Sequence, residues 1–391
     1  MSLYPIKVLH LIPTLSSGGA ERQLVNLVVN TSKEKVNHVI CVINDADFFA
    51  PSVHKAGYKI IELNISAKHP FLQAARKFRE VIKEEKPDII HSWLYDANIS
   101  ARLANLLNKQ IPIVTSLQSS DYSPEARRAG NWNPHKVRVL RMIDKFTAIL
   151  TKPYFVPCSQ SVKNSYQSYY GFDEDKTYVI YNAIDQKLLM ASEDDLEQLR
   201  FELALPADAF VYFNVGRLDK PKNHKKLIDA FQMVAHEISN TYLIIAGAGN
   251  LENELKKQVK DLQISDKILL LGRRNDIGAL LEIADVFVFP SLLEGLPVAL
   301  VEAMFKSLPC IASKIEVFEE VIDDGETGLL IDPTSANELK NAMIKLYKDK
   351  NLRKTLGKNA FEQVQIKFNT STTSKQWEDF YQKVKSESNR F

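Results

Sequence analysis

Short apolar runs alternate with helix-like patterns along the whole of this 391-residue chain. In the first half they read KVLHLI, HVICVI, KIIEL, DIIHSW, IPIVTSL, YFVPCS and YVIYNAI. In the second half they read FVYFNVG, YLIIAGAG, KILLLG, VFVFPS, PCIAS and GLLID. Continuous rather than alternating apolar runs predict strands buried on both faces of a parallel sheet. The helical stretches between them complete repeated β-α units. The chain therefore reads as an α/β protein with two doubly wound domains, whose ligands bind at the carboxyl ends of strands.

The polar stretch DQKLLMASEDDLEQLRFELALP, 185–206, separates the two strand series. It sets the domains at 1–187 and 188–371. The closing segment, 372–391, reads as one amphipathic helix, with Trp377, Phe380, Tyr381 and Val384 at i, i+3, i+4 and i+7. No run of 18 apolar residues occurs, so no membrane-spanning helix is expected. The N-terminus reads as a first strand, not a signal peptide. Cys41, Cys158 and Cys310 sit far apart in apolar runs, which predicts buried thiols in a reducing compartment. The cytoplasm is therefore the expected location.

Net charge is +2 but uneven. Residues 1–190 hold 24 Lys and Arg against 17 Asp and Glu, so +7, and the remainder 26 against 31, so −5. The first half is expected to meet something anionic, with drift in surface composition as the plain alternative. Residues 125–152 concentrate this charge, with seven Lys and Arg against two acids. Val137, Leu140, Ile143 and Phe146 form one stripe there, with Arg138, Arg141, Lys145 and Lys152 elsewhere. Such a helix either rests on an anionic membrane surface or packs on the core with a solvated basic face.

FPSLLEGLPVALVEAM, 289–304, holds Glu294 and Glu302 across a Glu-Gly turn. Pro297 is expected at the first helical position, where its missing amide costs nothing. The amides of Gly295, Leu296 and the first turn then favour an anion. Glu302 lies roughly 7 Å further along the axis. An anion flanked by two carboxylates suits a phosphorylated ligand rich in hydroxyls. In FNVGRLDKPKNHKKLIDAF, Gly216 turns the chain, and Arg217 and Lys222 suit a diphosphate. A solvated basic loop is the alternative, because Lys220, Lys225 and Lys226 are near.

TLSSGGAERQLVNLV places Gly18 and Gly19 where the first strand turns into a helix. Paired glycines allow close approach of a phosphate or sugar, or form a plain turn. They do not complete a dinucleotide fingerprint. Gly247 and Gly249 suggest packing. Gly272, Arg273 and Arg274 follow a further strand and could meet a base. Asp45-Ala46-Asp47 spells a DxD far in sequence from these motifs, and no metal role is assigned to it. His91 ends the strand run DIIH, facing either a cleft or the core; His10 is structural.

Together these motifs, in this order over most of the chain, resemble the group 1 glycosyltransferases, retaining GT-B enzymes that use nucleotide-sugars. VIYNAID, ADVFVFPS and DGETGLLID are similar to further family segments. The resemblance implies two Rossmann-like domains facing across a cleft, the last helix crossing back to the first. It implies that Glu294 holds hydroxyls of the donor sugar and Glu302 the ribose hydroxyls. Arg217 and Lys222 would neutralise the leaving diphosphate, helped by the Gly295 and Leu296 amides, with Gly216 and Arg273 on the donor side. Gly18 and Gly19 would line the same phosphates. Gln118 and His91 would lie on the acceptor side. No metal or cofactor is implied beyond a UDP- or GDP-sugar substrate.

The chain departs from the family pattern at three places. Gln118 stands where a His is common, and Gln cannot act as a base at neutral pH. Phe305-Lys306-Ser307 replaces Ala-x-Gly, and Glu316-Val317 replaces a glycine pair. The expected activity is hexose transfer to a saccharide or lipid-linked acceptor in surface polysaccharide, lipopolysaccharide or glycolipid assembly. A nucleotide-sugar epimerase and a catalytically silent nucleotide-sugar-binding protein are the alternatives.

Overall fold

The computed structural model describes residues 4–16, 18–66, 70–106, 111–119, 134–171 and 173–388. The chain forms two compact units, Met1–Ala183 with Thr370–Phe391, and Ile184–Asn369. It passes between them at 183/184 and 369/370, against 187/188 and 371/372 in the sequence reading.

The first unit contains β1 (Ile6–Ile12), α1 (Gly19–Asn30), β2 (Val36–Val42), α2 (Ala50–Lys55), β3 (Lys59–Glu62) and α3 (Phe71–Glu85). It continues through β4 (Ile89–Trp93), α4 (Tyr95–Asn105), β5 (Ile113–Leu117), α5 (Pro134–Thr151), β6 (Tyr154–Pro157) and α6 (Gln160–Tyr170). The second contains α7 (Glu193–Glu202), β7 (Phe210–Val215), α8 (His224–Glu237), β8 (Thr241–Ala246), α9 (Glu252–Asp261), β9 (Ile268–Leu270) and α10 (Ile277–Ile283). It goes on with β10 (Val286–Phe289), α11 (Val298–Phe305), β11 (Cys310–Ser313), α12 (Glu316–Glu319), β12 (Leu329–Ile331), α13 (Ala336–Lys348) and α14 (Lys350–Lys367). The last helix, α15 (Thr370–Ser388), returns to the first unit.

Each unit holds one six-stranded parallel sheet, in the order β3-β2-β1-β4-β5-β6 and β12-β11-β10-β7-β8-β9. The strand order reverses between β1 and β4 in the first and between β7 and β10 in the second. The apolar runs form the strands because their side chains fill both faces. In β1, Ile6, Val8 and Ile12 join the cluster beneath α1 and α15, while Leu9 and Leu11 join the one beneath α3 and α4. One expected strand is absent: Tyr178–Ile184 runs beside β6 with only the bonds Tyr178 N to Phe155 O and Ile180 N to Pro157 O. Beyond them the Asn26 side chain donates to Ala183 O, so the ladder ends there.

A row of polar side chains crosses the α15 face of the first sheet. His10, His38 and His91 stand on β1, β2 and β4, with His10 directly opposite His91. His38 meets Thr31 Oγ1 at 2.7 Å and His10 at 2.8 Å, and Trp93 Nε1 donates to His10 at 3.2 Å. His91 meets Ser116 Oγ at 2.8 Å and Tyr381 Oη of α15 at 2.7 Å. Buried polar groups are tolerated when each finds such a partner. The expected stripe Trp377, Phe380, Tyr381 and Val384 packs over this row. Glu378 accepts from Ser32 N and from Lys35 Nζ, tying α15 to the turn before β2. All three cysteines are buried, and none is in a disulfide.

Burial holds His38 down to about 3 and keeps His10 and His91 well below the usual imidazole range. A group whose folded pKa is depressed stabilises the fold above its unfolded pKa. That stability is lost as pH falls from about 6.5 towards the folded values, at about 1.4 kcal/mol per unit for each histidine. Every tryptophan lies outside 184–369, so tryptophan fluorescence reports the first unit. Its denaturation midpoint in urea should fall steeply between pH 7 and pH 5. A midpoint unchanged over that range would show the row to be protonated without cost.

Candidate functional site

In the second unit, the crevice where strand order reverses is the expected ligand position of a doubly wound sheet. Gly216, Arg217 and Lys222 follow β7, and Glu294 and Gly295 follow β10, so the two richest motifs meet there. Lys222 Nζ lies 2.6 Å from Glu294 Oε1 and 5.0 Å from the Phe289 ring centroid.

Backbone and side-chain bonds brace these two loops. Leu292 N donates to Pro221 O at 2.7 Å. Asn223 adopts φ 58, a left-handed conformation that Asn tolerates better than most residues. Its Nδ2 donates to Pro290 O at 3.1 Å and Pro333 O at 2.9 Å, joining the ends of three strands. His224 follows, fully buried, its imidazole held down to about 4 by burial and then by Lys222.

The Arg217 loop leans on its other neighbour. Gly216 N donates to Ala246 O, Leu218 N to Ala248 O, and Gly247 N to Gly272 O. A Cβ on Gly247 would stand 1.9 Å from Gly216 O, and one on Gly249 2.4 Å from Leu218 O. These glycines therefore serve packing, and what they pack is the Arg217 loop. Arg217 itself is 80% exposed and 3.0 Å from Asp219. Arg273 is also exposed, after the edge strand β9 and two strands away from β7. Arg274 is held by Asp276 and Glu202.

Helix α11 begins at Val298, with Pro297 just before it at φ −79 and ψ 73, one position earlier in the helix than the sequence reading put it. Pro297 O then accepts from Leu300 N and Val301 N, and no side chain caps this end. Leu296 is buried, and Glu302 lies buried on α11.

In the first unit, Gly19 is exposed and Gly18 precedes the first turn of α1. Gln118 Oε1 accepts from Asn182 Nδ2 at 2.9 Å, which orients the amide. His91 does not reach a ligand surface: it is fully buried with both ring nitrogens engaged. The acceptor-side assignment of His91 is therefore corrected to a structural one, because His91 is the middle residue of β4, whose five residues are all buried. Among the described residues, no group of three or more His, Cys, Asp and Glu is placed to hold a metal ion.

Helix α5 is turned inside out. Arg141, Asp144 and Thr147 are buried, and Asp144 pairs with the buried Arg102 of α4. Tyr95 Oη donates to Leu140 O at 2.6 Å. Val139, Met142, Phe146, Ile149 and Leu150 are 45% to 62% exposed, beside the exposed Arg138 and Lys152. The expected stripe is thus corrected at two positions: Phe146 faces out and Arg141 faces in, because the Arg102–Asp144 pair fixes the helix rotation. Residues 125–133 of this segment lie outside the described residues. Among the described residues, no helix is long and apolar enough to cross a membrane.

Residues 195–363 match the family of glycosyl transferases group 1, and residues 17–188 match glycosyltransferase family 4. The chain belongs to the group 1 glycosyltransferases. It is 28% identical to a PP-undecaprenol-linked saccharide alpha-1,4-N-acetyl-D-galactosaminyltransferase of Campylobacter jejuni, over 97% of this chain and 99% of that one. It is 26% identical to the N-acetyl-alpha-D-glucosaminyl L-malate synthase of Bacillus anthracis, over 80% and 79%. The fold is that of Anabaena HepE, solved with UDP and with UDP-glucose, at TM-score 0.82, 22% identity and 97% and 100% coverage. The two sheets and their helices therefore form a GT-B fold.

The sequence reading missed Asn223, although an Asn between a Lys-rich turn and a helix start is a recognisable left-handed signal. Asn223→Ala should destabilise the second unit by roughly 2–3 kcal/mol, from two lost hydrogen bonds and a strained φ. Asn223→Gly should recover about 1 kcal/mol of that. Urea unfolding followed by far-UV circular dichroism measures both, and a wild-type midpoint in Asn223→Ala would remove the brace from the account.

Proposed function

We propose that the chain transfers a hexose-class sugar from a UDP- or GDP-sugar to a saccharide or lipid-linked acceptor, in surface polysaccharide or glycolipid assembly. The Lys222–Glu294 pair in the β7/β10 crevice carries this reading. It sets a cation for a leaving diphosphate beside a carboxylate for sugar hydroxyls. Arg217 and the amides of Gly295 and Leu296 add positive field at the uncapped start of α11, so the leaving group needs no metal ion. Glu302 takes the ribose hydroxyls. The names of the relatives describe transfer and synthesis, which supports transfer over epimerisation.

The anomeric configuration is retained by attack on the face from which the diphosphate leaves. The bond from anomeric carbon to acceptor oxygen forms as the bond to phosphate oxygen breaks. The acceptor's proton passes to the departing phosphate, since Gln118 cannot take it and instead holds the acceptor by hydrogen bonds. The reaction runs in the cytoplasm, on the inner face of the membrane.

Thermal titration with UDP, GDP, their sugars and NAD as control tests the donor. A ligand at a hundredfold excess over Kd adds about 2.7 kcal/mol to a native state it alone binds. One nucleoside diphosphate and its sugars should raise Tm, and NAD should not. Glu302→Ala should abolish that rise, whereas Glu294→Ala should keep it and lose transfer. No rise with any nucleoside diphosphate sinks the proposal.

The exposed apolar face of α5 supports membrane contact, because Arg138 and Lys152 flank it as they would anionic headgroups. The protein should co-sediment with phosphatidylglycerol vesicles and less with phosphatidylcholine. Phe146→Asp with Ile149→Asp should release it. Equal pelleting of wild type and variant would dismiss this face.

A further inference from the structure

The first unit holds a concavity at the end of its sheet opposite the carboxyl ends of the strands. Strands β4, β5 and β6 begin there, and helices α4, α5 and α15 end there, around a cavity of about 750 Å³. Three helix C-termini bring partial negative charge and carbonyl acceptors to one place. Asn105, the last residue of α4, lines the cavity and is only 4% exposed. Its Nδ2 donates to Ile111 O at 2.8 Å, which fixes the orientation of the amide. Its Oδ1 is buried with no partner among the described residues. A buried acceptor left unpaired is costly to a fold, so it points to a donor that arrives from outside.

The cavity also carries positive charge. Lys152 follows α5 and is exposed, and Lys176 Nζ lies 5.2 Å from the Tyr154 ring centroid. Both line the cavity. The two acids of the lining are engaged elsewhere. Asp88 accepts from Lys7 N at 2.8 Å and pairs with Lys385 at 3.1 Å, and Glu387 accepts from Tyr154 Oη at 2.7 Å. Leu150 lines the same cavity and belongs, with Ile149, to the exposed apolar face of α5. Apolar face, cations and buried acceptor therefore follow one another without a break. A glycerophospholipid presents acyl chains, a phosphate and headgroup donors in that same order. A neutral sugar would leave the two lysines unanswered, and a bare anion would leave Asn105 unanswered. An ammonium headgroup would meet the lysines as a like charge, so the donor is a hydroxyl.

We propose that this cavity seats the headgroup of a membrane glycerophospholipid that carries hydroxyl donors. The phosphate rests on Lys152 and Lys176, a headgroup hydroxyl donates to Asn105 Oδ1, and the acyl chains run past Leu150 onto α5. The proposal rests on the membrane reading of α5 and adds to it a headgroup preference.

The probe is dihexanoyl phosphatidylglycerol below its micelle concentration, titrated calorimetrically into the full chain. Dihexanoyl phosphatidylmethanol carries the same charge without the hydroxyls, and glycerol 3-phosphate carries the head without the chains. The wild type should bind phosphatidylglycerol roughly fivefold or more tighter than either, the effect of one hydrogen bond or of lost acyl burial. Lys152→Gln with Lys176→Gln should weaken that binding about tenfold or more. Asn105→Leu should erase the preference over phosphatidylmethanol; should it fail to fold, the lysine pair and the two wild-type comparisons still decide. Equal affinity for the two lipids would overturn the proposal, as would no binding of either. Glycerol 3-phosphate bound as tightly as the lipid would overturn it in favour of a soluble phosphate ester. Wild-type lipid affinity in the lysine variant, with a lowered Tm, would overturn it and leave Lys152 a cap of α5. Sedimentation with phosphatidylglycerol and phosphatidylmethanol vesicles separates this proposal from the membrane reading beneath it. Pelleting on both alike keeps the membrane reading and sinks the headgroup site. Selective binding of the monomeric lipid without pelleting keeps the headgroup site and sinks the membrane reading.

Discussion

The candidate site depends on β10 lying beside β7. The two strands are far apart in sequence and adjacent in the sheet because the strand order reverses between them. Without that pairing, Lys222 and Glu294 would belong to unrelated loops. With it, the loops share a floor, and the Leu292 N to Pro221 O bond and the Asn223 side-chain amide fasten one to the other. Gly247 and Gly249 let the next loop press against Gly216 and Leu218 from the opposite side. Lys222 is thus held between Glu294 and the Phe289 ring with no ligand needed to assemble the pair. Charges fixed in advance by the fold need little reorganisation when a charged ligand arrives.

The first unit handles polarity in the opposite way. It buries a histidine row under α15 and an Arg102–Asp144 pair under α5, and leaves large apolar side chains of α5 in the open. Burying polar groups costs several kcal/mol where they find no partner, and little where they do. Here the described members of the row each meet one, so the arrangement is affordable and directional. It fixes which way α15 and α5 face far more tightly than a greasy interface would. Leu94, at the end of β4 beside β1, has φ 67 and ψ 163, a region nearly reserved for glycine. Strain of about 1–3 kcal/mol tends to persist where function requires it. It falls here where the strand order of the first unit reverses.

Strand runs were legible because a strand buried on both faces must be apolar at every position, and only Tyr178–Ile184 broke the rule. The α15 stripe was legible for the same reason, read at helical spacing. The rotation of α5 was not, because its apolar and basic residues fit two faces equally well, and Arg102, some forty positions away, decides between them. His91 was ambiguous because it was read as ending its strand, whereas β4 runs on to Trp93 and encloses it. Asn223 was the one miss with a local signature.

Two of the three departures from the family pattern, at 305–307 and 316–317, sit in the scaffold, not among the charged groups. Ser307 takes φ 56 where the family carries glycine, a left-handed conformation that costs a residue with a Cβ about 1 kcal/mol. The turn survives because the glycine it needs for packing is Gly357 of α14, where a Cβ would stand 2.0 Å from Ser307 O. At Glu316-Val317 the chain makes the short helix α12, and Val317 and Phe318 anchor it in the core. An apolar anchor there fixes the loop that a glycine pair would leave pliant. Neither change reaches Arg217, Lys222, Glu294 or the bonds that hold their loops. A half-buried charge pair in a crevice is worth little to stability by itself, so the Lys222–Glu294 pair is better accounted for by binding chemistry than by folding.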